Sequence, residues 1–342
     1  MAGCCALLVD IIDRYECDKA IIWLSAITVL TVPGLNGYRG ELLREYGGWF
    51  FTLLAFHVAL DWPNNPSWIR TFCLPLLFSI AALFRPETIV YYFSVLLWMC
   101  KCEAPLSRSD KKLRLVIPPL LLGLLGLFIG YLSWNTQNNS LPLVELARKL
   151  DFFSQFNQTA QKVGTVFNDY ARYSAQSAHV ILFFGSLALI PWKLLAKFGP
   201  FLIPLIAFLR LPNFREILHR YQLFAWGILI HGLILSMFVL QQQFVSGRYL
   251  APLLLFSVPF LAHGLHQLLV TYSRWKKYTF IACAILAVSN VVSLKPTNAH
   301  FREAGHWLAA NYKENPRIYV ESARAAHYAG WHYLKYALPK ER

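Results

Sequence analysis

The chain alternates long apolar blocks with short charged segments, and this pattern restricts the folds open to it. Apolar residues make up 56% of its 342 residues and charged residues only 15%, against about 25% charged in a typical soluble domain. The apolar residues form continuous blocks, which is typical of segments surrounded by lipid. We therefore predict an all-α polytopic transmembrane protein with about 9–10 hydrophobic spans.

The spans define a transmembrane region over residues 1–294, followed by a tail over residues 295–342. Residues 135–178, between two of the spans, form an amphipathic, mostly helical loop that we expect outside the cytoplasm. The tail shows helical periodicity over 300–312, a predicted strand over 317–320 and a second helix over 322–329, which predicts a small α/β fragment. The predicted spans are 1–12, 20–35, 47–60, 71–84, 88–100, 115–134, 179–211 (interrupted), 222–240, 250–271 and 278–294.

Basic residues give the orientation. They fill the loop 101–114 and the loop 274–277, and short basic loops face the cytoplasm. Counting spans from these loops places segments 36–45, 84–87 and 241–249, together with the tail, on the outer side, provided that 179–211 crosses once. Prolines and lysines in its first half favour a broken or interface-lying helix there.

The net charge of +14 does not indicate a nucleic-acid partner, because the basic residues lie between apolar blocks and no nucleic-acid-binding motif accompanies them. The seven cysteines lack a spacing that also supplies histidine ligands, and we interpret them as packing residues. Four histidines lie on apolar spans, and we expect them to be satisfied by neighbours or by lipid head groups. They are His57, His231, His263 and His266.

Ionisable residues are concentrated in the three outer segments. Such residues are costly at a membrane boundary unless they pair or bind a ligand. The candidate carboxylates are Glu45 and Glu41, and the candidate phosphate-binding residues are Arg39, Arg44, Arg85, Arg248 and Tyr249.

Arginine matches phosphate oxygens at the level of the lipid head groups, and a carboxylate beside it can act as a general base or bind a divalent cation. Together these groups suit transfer of a group from a lipid-linked phosphate donor. Two structural interpretations stay open, namely an interface salt bridge among Glu41, Arg44 and Glu45 and an Arg248 that snorkels toward the head groups.

Four motifs occur in the order found in one superfamily. They are PGLNGYRGELLRE at 33–45, AALFRPE at 81–87, GRYLAP at 247–252 and REAGHWL at 302–308. The set resembles the GT-C superfamily of polytopic glycosyltransferases, in particular bacterial relatives of protein O-mannosyltransferases and of the lipid A aminoarabinose transferase.

This resemblance implies transfer of a sugar from a polyprenyl-phosphate donor to an acceptor outside the cytoplasm, in a bacterial inner membrane. Glu45, or otherwise Glu41, matches the family's second acidic position. Arg85 and Arg248 match positions near the donor phosphate. No metal ligands are implied, although a divalent cation is compatible with the carboxylates.

The resemblance also implies that the family's first span and first outer loop, which carry its principal catalytic acid, have no counterpart here. The first acidic residues of the chain are Asp10 and Asp13, and they lie at the predicted cytoplasmic end of span 1–12. We therefore expect the 342-residue chain to lack transferase activity by itself; robust sugar transfer by the purified chain would contradict this. A non-enzymatic transporter or flippase of lipid-linked saccharides is the alternative, and a membrane scaffold without a ligand is a third possibility.

Overall fold

The structure, a computed structural model, describes residues 2–36, 44–103, 105–136, 152–291, 299–312 and 323–331. Within these ranges the chain is helical and contains no strand, which confirms the all-α prediction. The α-helices are α1 (Ala2–Tyr15), α2 (Lys19–Thr31), α3 (Pro33–Asn36), α4 (Glu45–Leu60), α5 (Trp68–Phe84), α6 (Tyr92–Lys101), α7 (Arg108–Thr136), α8 (Phe152–Tyr170), α9 (Arg172–Ala175), α10 (Ala178–Phe198), α11 (Leu202–Leu209), α12 (Phe214–Arg220), α13 (Gln222–Gln242), α14 (Ala251–Thr271), α15 (Lys276–Val291), α16 (Ala299–Asn311) and α17 (Ala323–Tyr328).

The chain divides into two compact units, Met1–Asn290 and Val291–Arg342. In the second unit α16 packs on α17 at Gly305, where an added Cβ would lie 2.4 Å from the Cβ of Tyr328. The helices predicted over 300–312 and 322–329 therefore form, but the strand predicted over 317–320 lies outside the described residues.

Several helix boundaries have local causes. Asp18 accepts a hydrogen bond from the backbone N–H of Ala20 at the start of α2, and Ser67 does the same for Arg70 at the start of α5, as N-capping residues do. The span predicted over 88–100 is not α-helical from its first residue, because a 3₁₀ turn at Pro86–Tyr91 precedes α6. Proline fits the first turn of a helix because it has no N–H to leave unpaired.

Segment 179–211 is interrupted as predicted. Its first part is α10, its second is α11, and Gly199 between them has a φ of +53°. A positive φ is accessible to glycine at little cost, so Gly199 permits the break between the two helices.

Helices α1 and α4 run in parallel and define the two ends of the first unit. At one end the Sγ of Cys4 lies 3.6 Å from the backbone oxygen of Tyr46. At the other end Arg14 donates to Asp61 at 2.7 Å. The 14 residues of α1 separate these ends by about 20 Å. We call them the Glu45 end and the Glu16 end.

The centre of the first unit is α14, which other helices cover along most of its length. Its Phe256 ring stacks on Phe56 with centroids 5.6 Å apart and meets the edge of Tyr91 at 5.4 Å. Gly227 of α13 makes room for this ring, because an added Cβ would lie 3.1 Å from it. Close aromatic packing of this kind fixes the rotation of α14.

Large apolar side chains on other helices are exposed, among them Trp23, Leu83 and Trp192. Three described segments are long and apolar enough to cross a membrane: Ala178–Leu209, Gln222–Gln242 and Gly247–Thr271. Exposed apolar surface on this scale indicates an environment of lipid or protein rather than water. The chain is therefore a membrane protein with transmembrane helices.

The contact between α11 and α14 depends on Gly264. A Cβ at this position would lie 1.9 Å from the backbone oxygen of Pro204. We expect Gly264→Ala to lower the free energy of unfolding by about 3 kcal/mol, since the rigid backbone of α11 must move away. The measurement is thermal unfolding of the detergent-solubilised protein.

Gly232→Ala on α13 is the matched control. Nothing lies within 4 Å of an added Cβ there, so the better helix propensity of alanine should leave stability unchanged or raise it by up to about 1 kcal/mol. Equal effects of the two substitutions would contradict the proposed close contact.

Candidate functional site

Three segment ends meet at the Glu45 end of the first unit. Glu45 is the first residue of α4, Arg85 follows α5, and Arg248 lies in the 3₁₀ turn Gly247–Leu250 that leads into α14. The structure thus brings together residues from all three segments that the sequence analysis placed on the outer side.

The Glu45 carboxylate is the centre of this group. Its side chain is only 7% exposed. Its Oε1 accepts a hydrogen bond from Nη2 of Arg85 and lies 3.9 Å from Nε of Arg248. Arg85 also places Nη1 3.5 Å from Oε1 of Glu87. One buried carboxylate therefore compensates two guanidinium groups, which lowers the cost of keeping both in an apolar setting.

Tyr249 adds an aromatic ring that lies near both arginines. The guanidinium carbon of Arg85 lies 5.4 Å from the centre of its ring, and that of Arg248 lies 5.5 Å away. These distances are within the range of cation–π attraction. The ring of Tyr249 therefore stabilises the same two guanidinium groups that Glu45 stabilises.

Two glycines allow Glu45 to approach Arg85. A Cβ at Gly47 would lie 2.3 Å from the ring of Phe84, and one at Gly48 would lie 3.1 Å from Thr88. The absence of side chains at these positions lets the first turn of α4 lie directly against the end of α5. Thr88 fixes the turn after Arg85 by donating to the backbone oxygen of Arg85 at 2.7 Å.

His231 supports the turn that carries Arg248. Its Nε2 lies 2.7 Å from the backbone oxygen of Tyr249, and its Nδ1 lies 2.6 Å from the hydroxyl of Tyr91. A carbonyl oxygen only accepts, so Nε2 carries the proton. A neutral ring then accepts at Nδ1 from the tyrosine. His231 thus joins α13 to both 3₁₀ turns of the site.

Helix α10 contacts residues 243–245, the segment that precedes the turn carrying Arg248, at two points. Lys193 donates to the backbone oxygen of Val245 and lies 5.4 Å from the centre of the Phe244 ring. Ser186 donates to the side-chain oxygen of Gln243, a residue whose φ is +54°. A non-glycine residue in the left-handed region needs such support from its surroundings.

The two arginines keep unused donors. Among the described residues, Nε of Arg85 and Nε of Arg248 are buried and have no hydrogen-bond acceptor. Their residues line a cavity of about 20 Å³ together with Glu45, Glu87, His231 and Tyr249. This volume suits a single oxygen atom such as that of one water. Buried donors without an acceptor are costly, so the site is suited to receive an anionic oxygen.

The remaining candidates contribute less to this geometry. Arg39 and Glu41 lie outside the described residues. Arg44 precedes α4 and is exposed, and it does not line the cavity. The ion pair of Glu41, Arg44 and Glu45 therefore stays a prediction, whereas Glu45 pairs with Arg85 and Arg248.

Sequence reasoning missed Tyr91, His231 and Lys193 as members of the site. A usable signal was present for His231 and Lys193, since a polar side chain within an apolar span marks a functional position by default. Tyr91 carried no such signal, because tyrosines are frequent at membrane interfaces.

Among the described residues no three side chains of His, Cys, Asp or Glu converge in a way that could hold a metal ion. A divalent cation at the carboxylates therefore stays a prediction. Comparison with protein-family models, curated protein sequences and solved structures finds no match. The site and the fold together define an all-α membrane protein with an arginine-rich, carboxylate-centred site at the end of its helices.

We expect Glu45→Gln to lower the free energy of unfolding by about 3 kcal/mol, because it leaves two partly buried guanidinium groups without their shared counter-ion. Glu87→Gln serves as the control. The Glu87 side chain is 35% exposed and its contact with Arg85 is longer, so its loss should cost less than about 1 kcal/mol. Unfolding in a denaturing detergent would measure both, and a larger loss from Glu87→Gln would refute the central role of Glu45.

Proposed function

We propose that this chain is a glycosyltransferase-like membrane protein that binds a polyprenyl-phosphate-linked sugar at the Glu45 end. The observation that carries the proposal is the pair of buried, acceptor-free Nε–H groups on Arg85 and Arg248. Phosphate supplies acceptor oxygens for such donors, and arginine is the side chain whose fork best matches them. The order of the GT-C-like motifs supports a lipid-linked sugar as the phosphate carrier.

The distribution of basic loops supports an extracytoplasmic location for this site. Arg114, from the first basic loop, donates to the backbone oxygen of Pro66, beyond the end of α4 that is opposite Glu45. Arg274, from the second, follows the end of α14 that is opposite Arg248. Both basic loops therefore lie at the Glu16 end, which we propose faces the cytoplasm. The chain is then a multi-pass protein of the bacterial inner membrane.

The GT-C resemblance implies a reaction that breaks the bond between the sugar C1 and the phosphate oxygen and forms one between C1 and an acceptor hydroxyl, and the part of it that we propose for this chain by itself is donor binding. The acceptor proton passes to a carboxylate, and the polyprenyl phosphate leaves with the electron pair. Arg85 and Arg248 stabilise the negative charge that develops on this leaving group.

The geometry favours a positioning role for Glu45. The Oε1 of Glu45 already accepts a hydrogen bond from Arg85 and lies near Arg248, so this oxygen is engaged with the arginines rather than free to face an acceptor hydroxyl. Glu45 therefore orients the two arginines. Glu41, in the adjoining segment outside the described residues, is the other predicted carboxylate for proton transfer.

Binding of a radiolabelled polyprenyl-phosphate sugar to the purified chain tests the donor site without requiring turnover. We expect Arg248→Gln to weaken binding by about tenfold, because it removes a charge-assisted contact to phosphate. Arg248→Lys should retain part of the affinity, since lysine keeps the charge and loses the fork.

Arg215→Gln is the matched control, because Arg215 is an exposed arginine on α12, at the Glu16 end. Its affinity should stay within about twofold of the parent protein, as for a distant surface charge. Equal affinities for Arg248→Gln and Arg215→Gln, with unchanged unfolding temperatures, would refute the proposed donor site.

A further inference from the structure

A second buried carboxylate lies at the Glu16 end. The Glu16 side chain is 4% exposed. Its Oε1 accepts three hydrogen bonds, from Nη1 of Arg220 at 2.9 Å, from the hydroxyl of Tyr221 at 3.0 Å and from Nε2 of His263 at 3.0 Å. Burial and the neighbouring Glu16 raise the pKa of Tyr221, so its hydroxyl stays a donor. The α1–α2 connection, α12 and α14 are thereby joined at one oxygen atom.

A cavity of about 250 Å³ opens beside this carboxylate. Ile21 and Ile217 provide apolar walls, while Glu216, Arg220 and His266 provide charged or titratable groups. Among the described residues, the second oxygen of Glu16, Oε2, has no hydrogen-bond donor. The cavity is an order of magnitude larger than the one at the Glu45 end and can hold a small polar group.

Charges of both signs line this cavity. Glu16 and Glu216 are acidic, Arg220 is basic, and His266 lies 3.7 Å from Asp18 at the margin. A purely anionic ligand would meet two carboxylates, and a purely cationic one would meet the guanidinium. Complementarity therefore favours a ligand that carries a positive and a negative group close together.

We propose that this cavity binds a phosphoethanolamine group, with its ammonium near Glu16 Oε2 and Glu216 and its phosphate near Arg220. The primary ammonium brings hydrogen-bond donors that a free carboxylate oxygen can use. A trimethylammonium group has none, so choline head groups should bind less well. The apolar walls and the position at a helix-bundle end fit the head group of a phospholipid, and free phosphoethanolamine has the same chemistry.

The experiment uses the full chain in detergent, to which phosphatidylethanolamine, phosphatidylcholine or phosphatidylglycerol with identical acyl chains is added. A ligand of the folded state raises the unfolding temperature in a concentration-dependent manner. We expect phosphatidylethanolamine to act at about tenfold lower concentration than either other lipid, as expected for hydrogen bonds to a charged group. A parallel titration with soluble phosphoethanolamine distinguishes the free ligand from the lipid head group.

Glu216→Gln should remove this preference without changing the unfolding temperature in the absence of lipid, because Glu216 is exposed. Glu103→Gln is the control, an exposed glutamate on the loop after α6, and it should keep the preference. Equal responses to ethanolamine and choline lipids would overturn the proposal, as would a preference that survives in Glu216→Gln. No step of this test involves a sugar donor, so its outcome is independent of the proposed function.

Discussion

The shared carboxylate of Glu45 is the interaction on which the candidate site depends. Two guanidinium groups within a few ångströms repel each other, and the repulsion grows as water is excluded. Glu45 offsets it through Oε1, which accepts from Arg85 and lies near Arg248. The residue opens α4, and its partners follow α5 and precede α14. A local electrostatic requirement thus fixes the relative position of three helices.

The contacts that link the two 3₁₀ turns of the site are neutral. His231 binds Tyr91 and the backbone of Tyr249, and the nearby Phe256 ring packs against Tyr91. Hydrogen bonds in an apolar interior are strong because no water competes for the donors. The two turns that carry the arginines are therefore held in place by hydrogen bonds and packing that are independent of any ligand, which suits a preorganised anion site.

Sequence reasoning could place the segments of Glu45, Arg85 and Arg248 on one side because alternating crossings of a membrane bring loops to the same side whatever the helix packing. It could not predict that Glu45 pairs with Arg85 and Arg248, since its own candidate partners for Glu45 were Glu41 and Arg44. It could not find the contact of His231 with Tyr91, 140 residues apart, because that contact depends on how far each helix is rotated about its axis. The same holds for Glu16 and His263, which are separated by 247 residues. Hydropathy predicts which residues span the membrane, but it does not predict how far each helix is rotated about its own axis.

Helix α14 contributes to both ends of the bundle. The turn carrying Arg248 leads into its first residue, and His263, twelve residues further along, donates to Glu16. A helix changes little in length when it is displaced, because its rise per residue is set by its hydrogen bonds. Axial movement of α14 by one ångström at the arginine site therefore displaces His263 from Glu16 by a similar amount. The close contact of Gly264 with the backbone oxygen of Pro204 limits axial movement of α14. This contact therefore sets the position of both ionic groups along the helix axis.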